Sequence, residues 1–97
     1  MRYFISLSFR GTSFSGWQHQ ANHPSVQDEL ERALGLLFGG KIPVTGAGRT
    51  DAGVHAINYF AHFDLPNPLS KDDFPRIIYK LNAILSSEIA IGNIYPV

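Results

Sequence analysis

Arg2-Tyr3-Phe4-Ile5-Ser6-Leu7-Ser8-Phe9 alternates with period two: Tyr3, Ile5, Leu7 and Phe9 fall on one face, Phe4, Ser6 and Ser8 on the other. This is the pattern of a strand with one face buried. A second run of the same kind sets Ile57, Tyr59, Ala61 and Phe63 against Asn58, Phe60 and His62, and Leu65-Pro66-Asn67-Pro68 breaks it. A third runs from Glu88 to Tyr95, where Gly92-Asn93 predicts a bulge or a change of register. Lys41-Ile42-Pro43-Val44-Thr45 contains a proline and fits an edge strand. Two apolar stripes at helical spacing lie between these runs. Val26, Leu30, Ala33, Leu34 and Leu37 form the first, opened by the capping-box pair Ser25 and Asp28 and closed by Gly39-Gly40. Gln27, Asp28, Glu31 and Arg32 read as its solvated face. Phe74, Ile77, Ile78, Leu81 and Leu85 form the second, with Pro75 tolerated because it sits in the first turn.

The spacing places the helices at roughly residues 25–38 and 73–85, with element ends good to a few residues. The order is strand, helix, short strand, strand, helix, strand. Two helices that each bury one stripe against four strands point to an α+β sandwich with both helices on one face of an antiparallel sheet. That is the split, ferredoxin-like βαββαβ plan.

At 97 residues and 44% hydrophobic content, the chain is one domain with a single core. It has no cysteine, which removes disulfides, thiolate catalysis and cysteine-based zinc sites. His19, His23, His55 and His62 lack a metal-binding spacing, so no metal site is expected. No apolar run is long enough to span a membrane and the first residues form no signal peptide, so a cytoplasmic protein is the expectation. Eight basic and eight acidic residues cancel. A protein that binds RNA through phosphates usually shows a basic excess. If the chain meets nucleic acid, its basic face is built locally, from residues such as Arg2, Arg10 and Arg49, or most of the contact lies elsewhere.

The chemistry concentrates in Gly46-Ala47-Gly48-Arg49-Thr50-Asp51-Ala52-Gly53-Val54-His55-Ala56. Its glycines allow a tight backbone path that side chains would obstruct. Arg49 and Asp51, two apart, point the same way in an extended segment. Opposite charges about 4 Å apart near a protein surface attract by roughly 4 kcal/mol before solvation costs. A carboxylate so placed stays ionised, as a nucleophile must. Taken alone, Thr50-Asp51-Ala52-Gly53 is also an ordinary turn sequence. The preceding Gly11-Thr12-Ser13-Phe14-Ser15-Gly16-Trp17-Gln18-His19-Gln20 is rich in turn formers yet carries two large aromatics. Trp17 there either caps the core or contacts a ligand.

The central stretch resembles the active-site motif of the TruA-type tRNA pseudouridine synthases, Gly-Arg-Thr-Asp-Ala-Gly-Val-His. Residues 10–20 resemble the family's first motif, in which Tyr-Asp-Gly-Thr precedes Gly-Trp-Gln, with Phe9 and Arg10 replacing its aromatic and its acid. Leu81-Asn82 matches a Leu-Asn near the end of the second helix. The resemblance covers nearly all 97 residues and implies the same ferredoxin-like fold. It also implies that residues 1–97 are the N-terminal, aspartate-bearing domain of a longer homodimeric enzyme. A second domain would supply a tyrosine that stacks on the target uridine.

By that resemblance Asp51 is the catalytic nucleophile and Arg49 holds the flipped nucleotide in the anticodon stem-loop of tRNA. Thr50, Gly53, His55, Trp17 and Gln18 shape the loop or lie near substrate. Turning uridine into pseudouridine requires no redox step, metal or small-molecule cofactor. A carboxylate attacks either the anomeric carbon or the base, after the base leaves its stack at a cost of a few kcal/mol. Gly46-Ala47-Gly48 does not continue as a dinucleotide-binding loop, and Gly39-Gly40-Lys41 lacks the spacing of a phosphate loop. The alternative of another class is a catalytically silent RNA-binding or assembly module, with Phe4 and Phe60 exposed on an RRM-like sheet.

Overall fold

The computed structural model describes residues 1–10, 14, 16–22, 24–48 and 55–97. Its elements are β1 (Arg2–Phe9), α1 (Val26–Phe38), β2 (Val44–Gly46), β3 (Ala56–Asp64), α2 (Phe74–Ile84) and β4 (Ile89–Pro96). A short 3-10 turn, Lys71–Asp73, leads into α2. The strands form one sheet in the order β2-β3-β1-β4, and every neighbouring pair is antiparallel. β1 and β2 therefore run parallel with β3 between them, and α1 makes the crossover. This is the ferredoxin-like α+β plan expected from the order of elements.

Local chemistry explains the helix ends. Ser25 is wholly buried, and its Oγ accepts a hydrogen bond from the Asp28 backbone N–H at 3.1 Å, capping α1. Gly39 ends α1 at φ +82°, a left-handed value that favours glycine. Pro75 stands in the first turn of α2, where no helical N–H is lost. Tyr3, Ile5, Leu7 and Phe9 of β1 meet Val26, Leu30 and Leu34 of α1 and Ile77 and Leu81 of α2 in one buried core. Tyr3 and Phe63 pack with ring centroids 5.8 Å apart.

Both edge strands are covered from the helices. Gln27 Nε2 donates to the Val44 carbonyl at 2.8 Å, and the Val44 N–H donates to Glu31 Oε2 at 2.9 Å. On the opposite edge, Asn82 Oδ1 accepts from the Ile91 N–H at 2.7 Å while Nδ2 donates to the Ile91 carbonyl at 3.2 Å. Gln27 and Glu31 are thus not simply part of a solvated face. α1 lies beside β2, so its flank meets backbone groups that no neighbouring strand satisfies.

β1 is straight while both its neighbours bulge. On one side Leu7 pairs with Tyr59 but Phe9 with Ala56, so β3 holds an extra residue. Asn58 there takes φ +56°, and its N–H lies 3.3 Å from Ser8 Oγ. Ile57, expected on the buried face, is consequently 84% exposed, and Ala56 takes the position toward Phe9. On the other side Ile5 pairs with Ile94 and Leu7 with Ile91, which puts a bulge at the expected Gly92-Asn93. The Asn93 N–H donates to Ser6 Oγ at 2.9 Å.

Candidate active site

β2 ends at Gly46 and β3 begins at Ala56, so the polar glycine-rich stretch is the connection between an edge strand and its neighbour. Arg49, Thr50, Asp51 and Gly53 lie outside the described residues. The structure does describe the two ends of that connection and the floor beneath its entrance.

At the entrance the Ala47 N–H donates to the Phe60 carbonyl at 2.9 Å, carrying strand pairing one residue past β2. Next, the Tyr59 hydroxyl accepts from the Gly48 N–H at 3.1 Å and donates to the Gly48 carbonyl. Partial burial pushes the Tyr59 phenol above its ordinary pKa, and the Gly48 hydrogen bond works against that rise. The ring is fixed from below. Its centroid is 4.7 Å from that of Trp17, tilted by 35°, and 5.7 Å from that of Phe9. Trp17 is only 2% exposed and belongs to the core. Its carbonyl accepts from the Gln27 N–H at 2.9 Å, which ties the turn carrying it to the start of α1. A Cβ at Gly46 would overlap both Trp17 Nε1 and Tyr59 Oη, so only glycine fits there. Gln18 is half-buried; its Oε1 accepts no hydrogen bond from the described residues.

The exit is different in character. His55 is exposed and lines a cleft of about 500 Å³ with Ser8, Arg10, Ile57 and Glu88. The Arg10 N–H donates to the Glu88 carbonyl at 2.9 Å, holding the ends of β1 and β4 together. Glu88 Oε2 is buried and accepts no hydrogen bond from the described residues. The cleft is thus lined by one basic and one acidic residue, Arg10 and Glu88. The helix-free face of the sheet carries Phe4, Phe60 and Tyr95, each more than two-fifths exposed. Phe4 meets His62 edge-on at 5.9 Å, and Phe60 lies 6.5 Å from Tyr95.

The alternation of the sequence places Tyr59 in the buried row of a strand and gives it no further part. Its contact with Gly48 spans eleven residues of chain and leaves no periodic signal. Glu88 marks only the start of a strand in the sequence pattern. Among the described residues no group of His, Asp and Glu is gathered as a metal site, and no helix is long and apolar enough to cross a membrane.

No model of a protein family matches the chain. Individual proteins do. It is 47% identical over 96 residues to the tRNA pseudouridine synthase A of Parabacteroides distasonis, covering 99% of this chain and 37% of that protein. To the tRNA pseudouridine synthase A of Bacillus subtilis it is 44% identical over 93 residues, 94% of this chain and 36% of the relative. The protein of that name from Maricaulis maris is 55% identical over 71 residues, 73% of this chain and 28% of its own length. The matched stretch thus spans little more than a third of the first two relatives and less than a third of the last. Over that span it belongs to the TruA family of tRNA pseudouridine synthases.

Proposed function

We propose that residues 1–97 form the N-terminal domain of a tRNA pseudouridine synthase that isomerises uridine in the anticodon stem-loop. Asp51 acts as the nucleophile and Arg49 holds the extruded nucleotide. The observation that carries this reading is 47% identity over 96 residues to a protein named tRNA pseudouridine synthase A. The residue types at 48–55 fit the chemistry, since a carboxylate beside a guanidinium remains ionised and available for attack. The whole enzyme, by this reading, is a cytoplasmic homodimer whose second domain completes the cleft and works without metal or cofactor. The isolated 97 residues, with no net charge, are then inactive and bind tRNA poorly.

The test is Asp51→Asn in the full-length protein. The carboxamide keeps the size of the side chain but not the negative charge that makes the oxygen a nucleophile. Single-turnover pseudouridine formation should fall by several powers of ten, each worth about 1.36 kcal/mol of barrier. tRNA affinity should hold nearly constant, because phosphate contacts and shape supply it. Retention of more than about a hundredth of the wild-type rate, under ~3 kcal/mol lost, would remove Asp51 from the role.

The aromatic patch of Phe4, Phe60 and Tyr95 favours a second reading, a catalytically silent module that stacks bases on its sheet. Phe4→Ala and Phe60→Ala would then abolish RNA binding by the 97-residue chain, which the first reading expects to be weak from the outset.

A further inference from the structure

We propose that Tyr59 is a positioning residue for the isomerisation, acting through the backbone of Gly48; the inference rests on the reading of Asp51 just given. The Tyr59 hydroxyl uses both of its hydrogen-bonding capacities on one residue, accepting from the Gly48 N–H and donating to the Gly48 carbonyl. Bonds to the two peptide groups that flank a single Cα fix its orientation as well as its place. Gly48 is followed immediately in sequence by Arg49 and, three residues on, by Asp51. Three residues of chain span at most about 11 Å, so the Cα of the clamped Gly48 lies within that reach of the Cα atoms of Arg49 and Asp51.

The clamp itself is built on rigid ground. Tyr59 belongs to β3, whose ladder to β1 includes the pair Leu7 and Tyr59. Its ring is wedged between Phe9 and the buried Trp17. Gly46 lies against the same two polar atoms, Trp17 Nε1 and Tyr59 Oη, with no room for a Cβ. An aromatic floor with a single hydroxyl turned up to the chain above it is more than packing requires. A phenylalanine would fill the same space and leave Gly48 to water. The arrangement suits a connection whose charged residues must arrive in one geometry, since a misplacement of about 1 Å can cost around a hundredfold in rate.

Tyr59→Phe in the full-length protein tests this by removing the hydroxyl and keeping the ring. The single-turnover rate should fall about 10- to 100-fold while the Kd for tRNA and the melting temperature stay close to wild type. Amide exchange at Gly48 should speed up. A merely structural role would lower the melting temperature and leave the rate per folded molecule unchanged. Gly46→Ala approaches the same clamp from beneath; the fraction that folds should show the same loss of rate at unchanged affinity. A Tyr59→Phe protein with wild-type rate overturns the proposal, whatever Asp51→Asn does. A slow Tyr59→Phe protein beside an active Asp51→Asn protein would instead overturn the nucleophile assignment and leave the clamp standing.

Discussion

Replacing Asn82 by alanine sets two local effects against each other, and the sign of the result decides between them. Alanine is the better residue in a helix interior by about 0.5 kcal/mol, so helix propensity alone predicts a more stable protein. The structure predicts the reverse. Asn82 makes two hydrogen bonds to Ile91, at 2.7 and 3.2 Å, that tie α2 to the outer edge of β4. Each is worth about 0.5–1.5 kcal/mol net. The site is partly open, so water will satisfy some of what is lost and the pair should contribute about 1–2 kcal/mol. Subtracting the gain in propensity leaves a net loss of about 1 kcal/mol, or a melting point lower by about 4–8 °C for a domain of this size. Urea unfolding followed by far-UV circular dichroism would measure it, with an unchanged slope showing that the transition remains comparable. A variant as stable as wild type, or more so, would refute the idea that this amide holds the edge.

Other expectations are equally direct. Ser25→Ala should cost about 1 kcal/mol by removing the cap of α1, whereas Ser25→Asp should recover part of it; thermal unfolding of both variants checks this. Arg2 Nε and Nη2 reach the two oxygens of Asp64 at 3.0 and 3.2 Å. The hydrogen bond from Arg2, and then its charge, hold the Asp64 carboxyl below its ordinary value of 3.8. The stabilisation is therefore in place above about pH 4 and disappears as pH falls through the lowered value. Asp64→Asn should flatten that acid limb of the stability curve, and salt should shrink it because the pair is exposed.

What could be read from sequence follows the range of the forces involved. β1 was legible because its alternation is complete, and α1 because its cap and its stop are written within a few residues of its ends. The bulge at Gly92-Asn93 was announced by a glycine. That at Ile57-Asn58 was not, because Ile57 continues the apolar alternation and the irregularity is imposed by pairing with Leu7 and Phe9, about fifty residues away in sequence. Gln27 and Glu31 look like surface residues until β2 is laid beside them. The motif around Asp51 was conspicuous as chemistry out of place in a loop. The floor under Gly48 was not, because the contacts of Tyr59 with Trp17 and Gly48 join three separate segments.

The extra residue in β3 separates two design problems that a regular strand would couple. From Phe63 back to Tyr59 every second side chain faces the helices; Ala56 also turns inward, although it is three residues from Tyr59 rather than two. The parity of the strand is thus reset between the core and the connection that precedes it. A loop joined to an unbroken ladder must have a length of fixed oddness, or it turns the core inside out. Here one residue can be taken up or released at Asn58, against the hydroxyl of Ser8, before any change reaches Ala61 or Phe63. The connection between β2 and β3 can alter in length while the hydrophobic interior keeps its count.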